Sequence, residues 1–180
     1  MKKILFGFLL FVISFTPFIY AQSDLDKIID LSSSPINTFK ESCSRCHGNE
    51  GSAYGKGFAE MSDDSLKEIV FMMMNGPAQL TPGQADIEAM TGYNKSFRTL
   101  KPFAIVMNSK SFLEGKDDDL LVNLSAKAKL SIEDKKVKTE LTGDNCKLFY
   151  DQKKIKELKI TVTKDNNSSS FVFPKQLWSE

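Results

Sequence analysis

Hydrophobic and polar positions recur with two different periods along this 180-residue chain. Between residues 36 and 100, apolar side chains return every three or four positions, which is the spacing of an α-helix with one buried face. After Pro102 the period becomes two, which is typical of β-strands that bury one face. The pattern therefore predicts a helical region followed by a β region.

Three helices are predicted in the first region from their apolar stripes and end signals. The first covers residues 36–46 and the second covers residues 62–75. The third is expected to begin with Thr81 as its cap and Pro82 in the first helical position, and to end near Leu100.

Seven short apolar runs in the second region have the length and alternation of strands. Turn-forming stretches separate several of them, at residues 114–117, 142–145 and 165–168. One face of these strands is apolar and the other is rich in lysine. Their spacing predicts a small antiparallel β-sandwich of immunoglobulin-like type.

The first 21 residues have the features of a secretory signal peptide. Two lysines precede an apolar run at residues 4–15, Pro17 interrupts it, and Ala21 offers a small residue at the cleavage point. Cleavage predicts a periplasmic protein. The competing interpretation is an uncleaved anchor, so membrane association is expected only if this segment is retained.

Overall charge excludes one class of partner. The chain has 24 Lys and Arg against 23 Asp and Glu, a net charge of +1, so nothing electrostatic favours nucleic acid. No catalytic constellation is predicted in the β region, because the chain has a single histidine, which leaves no Ser-His-Asp set, and the carboxylates there are scattered among lysines. Asp117-Asp118-Asp119 is interpreted as a solvated turn rather than a calcium site.

Cys146 is expected to be a buried free thiol, with a covalent dimer as the alternative.

That single histidine completes the most specific motif of the chain. Cys43, Cys46 and His47 form the sequence Cys-x-x-Cys-His, which is the attachment signature of c-type haem. On a helical turn, residues i and i+3 lie side by side, so both thiols can reach the vinyl groups of one porphyrin. His47 would then be the proximal iron ligand, and one covalent haem c is predicted.

Other interpretations of the two cysteines explain less. A thioredoxin-like couple needs a strand before the motif, and a zinc site needs four ligands. A disulfide between Cys43 and Cys46 leaves the adjacent histidine without a role. The glycines that follow, at positions 48, 51, 55 and 57, favour a tight loop running close to a flat cofactor.

These features together resemble the class I cytochrome c family. The shared order is an aromatic-bearing helix, Cys-x-x-Cys-His-Gly, a glycine-rich loop, a helix ending in Asn-Gly, and a last helix with a tyrosine. The resemblance covers residues 36–100, under half of the chain. It implies that Phe39 packs against the last helix near Tyr93 and Phe97.

The resemblance, the strand pattern after Pro102 and the N-terminal signal together predict a fold class and its boundaries. We expect a multidomain α + β protein in which a small all-α cytochrome c domain precedes an antiparallel β-sandwich. Residues 1–21 are the signal peptide, residues 22–101 the haem-binding domain, and residues 102–180 the β-sandwich domain.

The chain departs from the family at the second axial ligand. Family members usually take it from a methionine between the last two helices, and residues 76–81 contain none. Met74, at the end of the preceding helix, is the first candidate, whereas Met73 fits the apolar stripe and is predicted to be core. The alternatives are Met61, Met72, Met73, Met90 or an open iron.

The function expected from these observations is that of a periplasmic monohaem c-type cytochrome. It would carry single electrons to or from a redox protein or enzyme complex, as a carrier or subunit rather than an independent enzyme. The β region would serve for docking or spacing. The alternative is a haem protein with open or weakly ligated iron that binds or senses a small ligand, or acts as a redox enzyme subunit.

Overall fold

The structure, a computed structural model, describes residues 33–108, 111–112, 115–150 and 157–174. The predicted signal peptide, residues 1–21, lies outside the described residues. Within the described ranges, no helix combines the length and apolar character needed to cross a membrane.

The five α-helices whose bounds are defined precede the first strand, and most of them are short; residues 111–112, after that strand, are also helical. A π-helical segment, Phe39–Cys43, joins the first two, and a 3₁₀ turn, Asn49–Gly51, follows them. Only the last two helices exceed four residues. The helices are α1 (Pro35–Thr38), α2 (Ser44–His47), α3 (Gly57–Glu60), α4 (Asp63–Asn75) and α5 (Gln84–Thr99).

Capping interactions decide where the two longer helices begin. The sequence leaves Ser62 and Ser65 as alternative caps of α4, and the structure selects Ser62, whose Oγ accepts a hydrogen bond from the Ser65 amide at 3.1 Å. The predicted start of α5 is wrong. Its N-cap is Gly83 rather than Thr81, because the Asp86 carboxylate accepts the Gly83 amide at 3.0 Å and closes the first turn.

Seven strands form two antiparallel sheets in the described residues. The first sheet has the order β1-β2-β5-β4 and the second has the order β3-β6-β7, the strand order of constant-type immunoglobulin domains. The strands are β1 (Ala104–Val106), β2 (Asp119–Leu124), β3 (Lys129–Ile132), β4 (Lys138–Thr142), β5 (Asn145–Phe149), β6 (Glu157–Lys164) and β7 (Asn167–Pro174).

Two hydrophobic clusters hold these elements together. The first lies between the sheets and is formed by Phe112, Leu120, Val122, Leu124, Cys146, Leu148, Leu158, Ile160 and Val162. The second lies among the helices and is formed by Ile36, Phe39, Leu66, Val70, Met74, Ile87, Met90 and Tyr93. Burial of these side chains is the main favourable term for folding.

The predicted multidomain α + β fold with a small all-α cytochrome c domain is wrong. The described residues are organised on two antiparallel sheets, with a few mostly short helices and no separate all-α cytochrome domain. The helices are joined to the sheets: the Tyr93 and Phe103 ring centroids lie 5.2 Å apart, and Ser34 Oγ donates to Asn123, 89 positions later. Hydrophobic period alone does not report such long-range pairing.

Candidate functional site

The cysteine and histidine motif lies at the end of a continuous helical stretch, residues 35–47. Its middle turn is π-helical, and such turns occur frequently at functional sites. Gly48 then ends the helix with φ of 71°. A Cβ at this position would collide with Ser52 Oγ, so the chain needs glycine here to leave the helix directly after His47.

A second glycine is also required by the loop. Gly51 has φ of 72°, and a Cβ there would collide with the Tyr54 ring and approach Phe97 at 2.9 Å. Gly55 and Gly57, in contrast, face open space. The loop is therefore tight over its first half, as the glycine pattern predicts, but the later glycines serve no such role.

The motif opens onto a cavity of about 450 Å³, within the size range of small-molecule and cofactor sites. Cys43, Cys46 and His47 all line it. Cys43 and His47 are half-buried and Cys46 is exposed, so the cavity reaches solvent beside Cys46. The rest of its wall is mostly apolar: Phe39, Phe58, Leu66, Val70, Pro77 and Ala78 are among the lining residues.

The two motif cysteines carry free thiols in the structure rather than a disulfide. Burial raises the pKa of the Cys43 thiol, and the neighbouring Cys46 raises it further. The neutral thiol is therefore the form that Cys43 holds at neutral pH. A pair of unpaired thiols on one cavity wall can add to two unsaturated groups of a single bound molecule.

The imidazole of His47 contacts an aromatic stack. Its ring centroid lies 4.9 Å from that of Tyr54, which stacks on Phe58 at 4.2 Å. The Tyr54 hydroxyl donates to Asn94 Oδ1, and the Asn94 amide donates to the Met90 carbonyl at 2.8 Å. Burial, followed by the negative charge that Cys43 carries once it ionises at high pH, raises the pKa of Tyr54 to about 12, so Tyr54 remains a neutral donor at neutral pH.

Tyr54 and Asn94 were missed by reasoning from the sequence. The only signal for Tyr54 is an aromatic residue inside a glycine-rich loop. Asn94 carries no sequence signal, because a polar residue in a helix is usually exposed, whereas this side chain is buried and lines the cavity. Their contact joins the loop to α5.

Four of the five candidate methionines line the cavity: Met61, Met73, Met74 and Met90. Met72 does not, and it is 52% exposed. The prediction that Met73 belongs to the core is wrong. Met74 is the buried one, because it follows Leu66 and Val70 at intervals of four on α4, while Met73 is half-buried.

The contact implied for Phe39 is confirmed. Its ring meets Tyr93 at 5.7 Å and Phe97 at 5.2 Å between centroids, both in edge-to-face geometry. Phe39 also lines the cavity. The helix that carries the motif is thus fixed against α5 by the same side chain that forms one wall of the site.

Outside this cavity, the third cysteine is placed as predicted. Cys146 is a free thiol buried between the two sheets, and burial raises its pKa. Across the described part of the chain, no three or more His, Cys, Asp and Glu side chains are grouped to hold a metal ion.

No family model, curated protein or solved structure matches this chain. The assignment of function therefore starts from the chemistry of the residues around the cavity.

Proposed function

We propose that this protein binds one covalent haem c and carries single electrons in the periplasm. The observation that supports the proposal is the convergence of Cys43, Cys46 and His47 on one apolar cavity whose walls also carry thioether side chains. Two thiols, an imidazole and a methionine are a donor set suited to haem c, and the cavity is apolar enough to shield such a cofactor.

Each residue has a distinct part in holding the group. The Cys43 and Cys46 thiols would form thioether bonds to the porphyrin, and the His47 imidazole would ligate the iron. The bound group supplies a ferrous–ferric couple that exchanges one electron. Tyr54 restricts the rotation of the imidazole through ring contact, and the apolar wall around Phe39 and Phe58 excludes water.

The exposure of Cys46 suits exchange with a partner. It leaves one edge of the cavity open to solvent, where a redox protein or enzyme complex can approach. The single histidine of the chain is used as ligand, so no imidazole is left for acid–base chemistry. These two features favour a carrier or electron-transfer subunit over an independent enzyme.

A second candidate function rests on the sixth ligand. Residues 76–81 contain no methionine, and Met74 and Met90 are both packed into the helical core, which restrains their sulfur atoms. An iron left open or weakly ligated would bind or sense a small ligand, or serve as part of a redox enzyme.

The proposed function is tested by the full-length protein, produced in cells that attach c-type haem. Its intact mass after denaturation should exceed that of the polypeptide by one haem. Its absorbance should change between the oxidised and reduced forms without loss of the pigment. A colourless product with the mass of its amino acids alone would contradict the proposal.

A methionine series separates the two candidate functions. We expect Met74→Leu, which conserves volume, to abolish the weak red absorbance band of methionine-ligated ferric haem and to lower the midpoint potential. Met72→Leu is the matched control on the same helix, because Met72 lies outside the cavity lining, and it should change neither.

The same series can contradict Met74 as ligand. If Met74→Leu leaves the ferric spectrum unchanged, Met74 is not the ligand, and the same substitution is then made at Met61, Met73 and Met90. If none of these variants alters the spectrum and ferrous wild-type protein binds carbon monoxide rapidly, the iron is open and the second function is correct.

A further inference from the structure

Two ion pairs join the segment that carries the motif to the β-sheets, one before the motif and one after it. Before the motif, the Lys40 ammonium pairs with the Asp144 carboxylate. After it, the Lys164 ammonium contacts both carboxylate oxygens of Glu50, at 2.8 and 2.7 Å. Asp144 lies in the β4–β5 hairpin and Lys164 in the β6–β7 hairpin, so each sheet contributes one tip.

The first tip is anchored to its own sheet. Gly143, with φ of 61°, makes the β4–β5 turn, and the Asp144 carbonyl accepts hydrogen bonds from the Leu124 amide at 2.7 Å and Asn123 Nδ2 at 3.2 Å. Asn123 is fully buried and also accepts the hydroxyl of Ser34, the N-cap of α1. The start of the motif helix is thus tied to β2 as well as to the turn.

The second tip, the β6–β7 turn, holds Lys164 in a defined position. Lys164 is the last residue of β6 and pairs with Asn167 across a two-residue turn, which fixes the register of the hairpin. The Lys164 and Glu50 side chains are only 21% and 29% exposed, respectively. Solvent and salt therefore screen this ion pair less than an ordinary surface pair.

The backbone at Glu50 explains why a partner is needed there. Glu50 adopts the left-handed conformation, with φ of 50°, which a residue with a Cβ disfavours. It lies between two glycines that also have positive φ. The ion pair, in which Lys164 contacts both carboxylate oxygens of Glu50, is a favourable contact made in this conformation, and it offsets part of the cost.

Backbone hydrogen bonds connect the loop that contains Glu50 to His47 and Tyr54. The Ala53 amide donates to the His47 carbonyl at 2.9 Å, and the Tyr54 amide donates to the Gly51 carbonyl at 2.9 Å. Glu50 lies inside the loop closed by the first of these bonds, and the second bond begins at the next residue, Gly51. Movement of Glu50 would therefore shift the backbone of His47 and the ring of Tyr54 that packs against it.

We propose that the two hairpin tips position the motif segment, and that Lys164, acting through Glu50, holds the backbone that carries His47. The redox part of this inference rests on the proposed function. The sheets then serve as the scaffold that sets the geometry of the iron ligand, in addition to any docking role. Lys164 is a positioning residue, since it does not touch the cavity.

The test compares Lys164→Met with Lys159→Met in the full-length protein. Lys159 is the matched control because it lies on the same strand and pairs with Glu133 at 3.0 Å, and neither partner belongs to the motif loop. We expect Lys164→Met to speed amide exchange at Ser52, Ala53 and Tyr54 by about two- to fivefold, and Lys159→Met to leave it unchanged.

The midpoint potential is a second measurement, and it should not change if Lys164 only stabilises the fold. Lys164→Met leaves the Glu50 charge uncompensated near the iron ligand, which favours the ferric state, so the potential should fall. Lys164→Arg keeps the charge and should restore both the potential and the slow exchange. The double variant Glu50→Gln, Lys164→Met removes both charges but still lacks the ion pair that holds the loop, so amide exchange should remain fast.

The proposal is overturned if Lys164→Met matches the wild type in amide exchange, or if exchange rises while the potential stays the same. Amide exchange is measurable with or without haem. A protein that binds no haem would therefore refute the proposed function, while the exchange comparison would still decide whether the hairpin holds the segment.

Discussion

Replacement of Cys43 and Cys46 together by alanine is expected to abolish covalent haem attachment and leave the fold in place. Both thiols line the cavity, and neither belongs to the fully buried residues of the helical core. Each single variant should retain haem through one thioether. The intact mass after denaturation, which removes any haem that is not covalently bound, measures all three proteins.

The chain provides its own control for this experiment. Cys146→Ala removes the third cysteine, which lies between the two sheets and does not line the cavity. It should keep the full haem mass, although the lost burial costs some stability. Haem retained by the double variant, or lost from Cys146→Ala, would show that the motif is not the attachment site.

Phe39→Ala is expected to lower the free energy of unfolding by about 3–5 kcal/mol, the usual cost of deleting a buried phenylalanine side chain. Its ring is 1% exposed, packs edge-to-face on Tyr93 and Phe97, and connects the motif helix to α5. Both ring partners lie on α5, which is itself packed against other elements, so the surroundings relax only partly into the space left by the ring. Urea unfolding, followed by far-ultraviolet circular dichroism, measures the change.

The control for Phe39 is a phenylalanine on α4. Phe71 is 49% exposed, so Phe71→Ala should change stability by no more than about 0.5 kcal/mol. Equal losses in the two variants would mean that the helical cluster is not the core described here. The comparison is best made before haem attachment, because a ligand bound only to the folded state adds its own stabilisation.

The helical region shows how far local reasoning reaches. The apolar stripe and a serine cap, Ser62 or Ser65, predict α4 correctly, because both signals act within a few residues. Of the predicted stripe Leu66, Ile69, Val70 and Met73, only Leu66 and Val70 are buried. The predicted start of α5 is wrong because such local signals allow two possible positions for the cap, and composition favours the first. Thr81 and Pro82 have the composition of a helix start, but the carboxylate of Asp86 reaches the Gly83 amide and moves the cap by two residues.

The site could be predicted only in part. The motif cysteines and His47 were identified from their spacing, since the signature lies within five consecutive positions. Tyr54 and Asn94 were not, because their contact spans 40 positions and leaves no periodic trace. The exchange of roles between Met73 and Met74 depends on how α4 is rotated against its neighbours, which is a property of packing.

The amino-acid sequence by itself determined the change from helical to strand period, the most specific motif and the candidate thioether ligands. These are local features, set by spacing along one chain segment. Only the tertiary structure decided that the helices join the sheets rather than form a separate all-α domain, and that Lys40 and Glu50 meet Asp144 and Lys164. Such pairs lie more than a hundred positions apart, and burial and charge complementarity between distant elements select them.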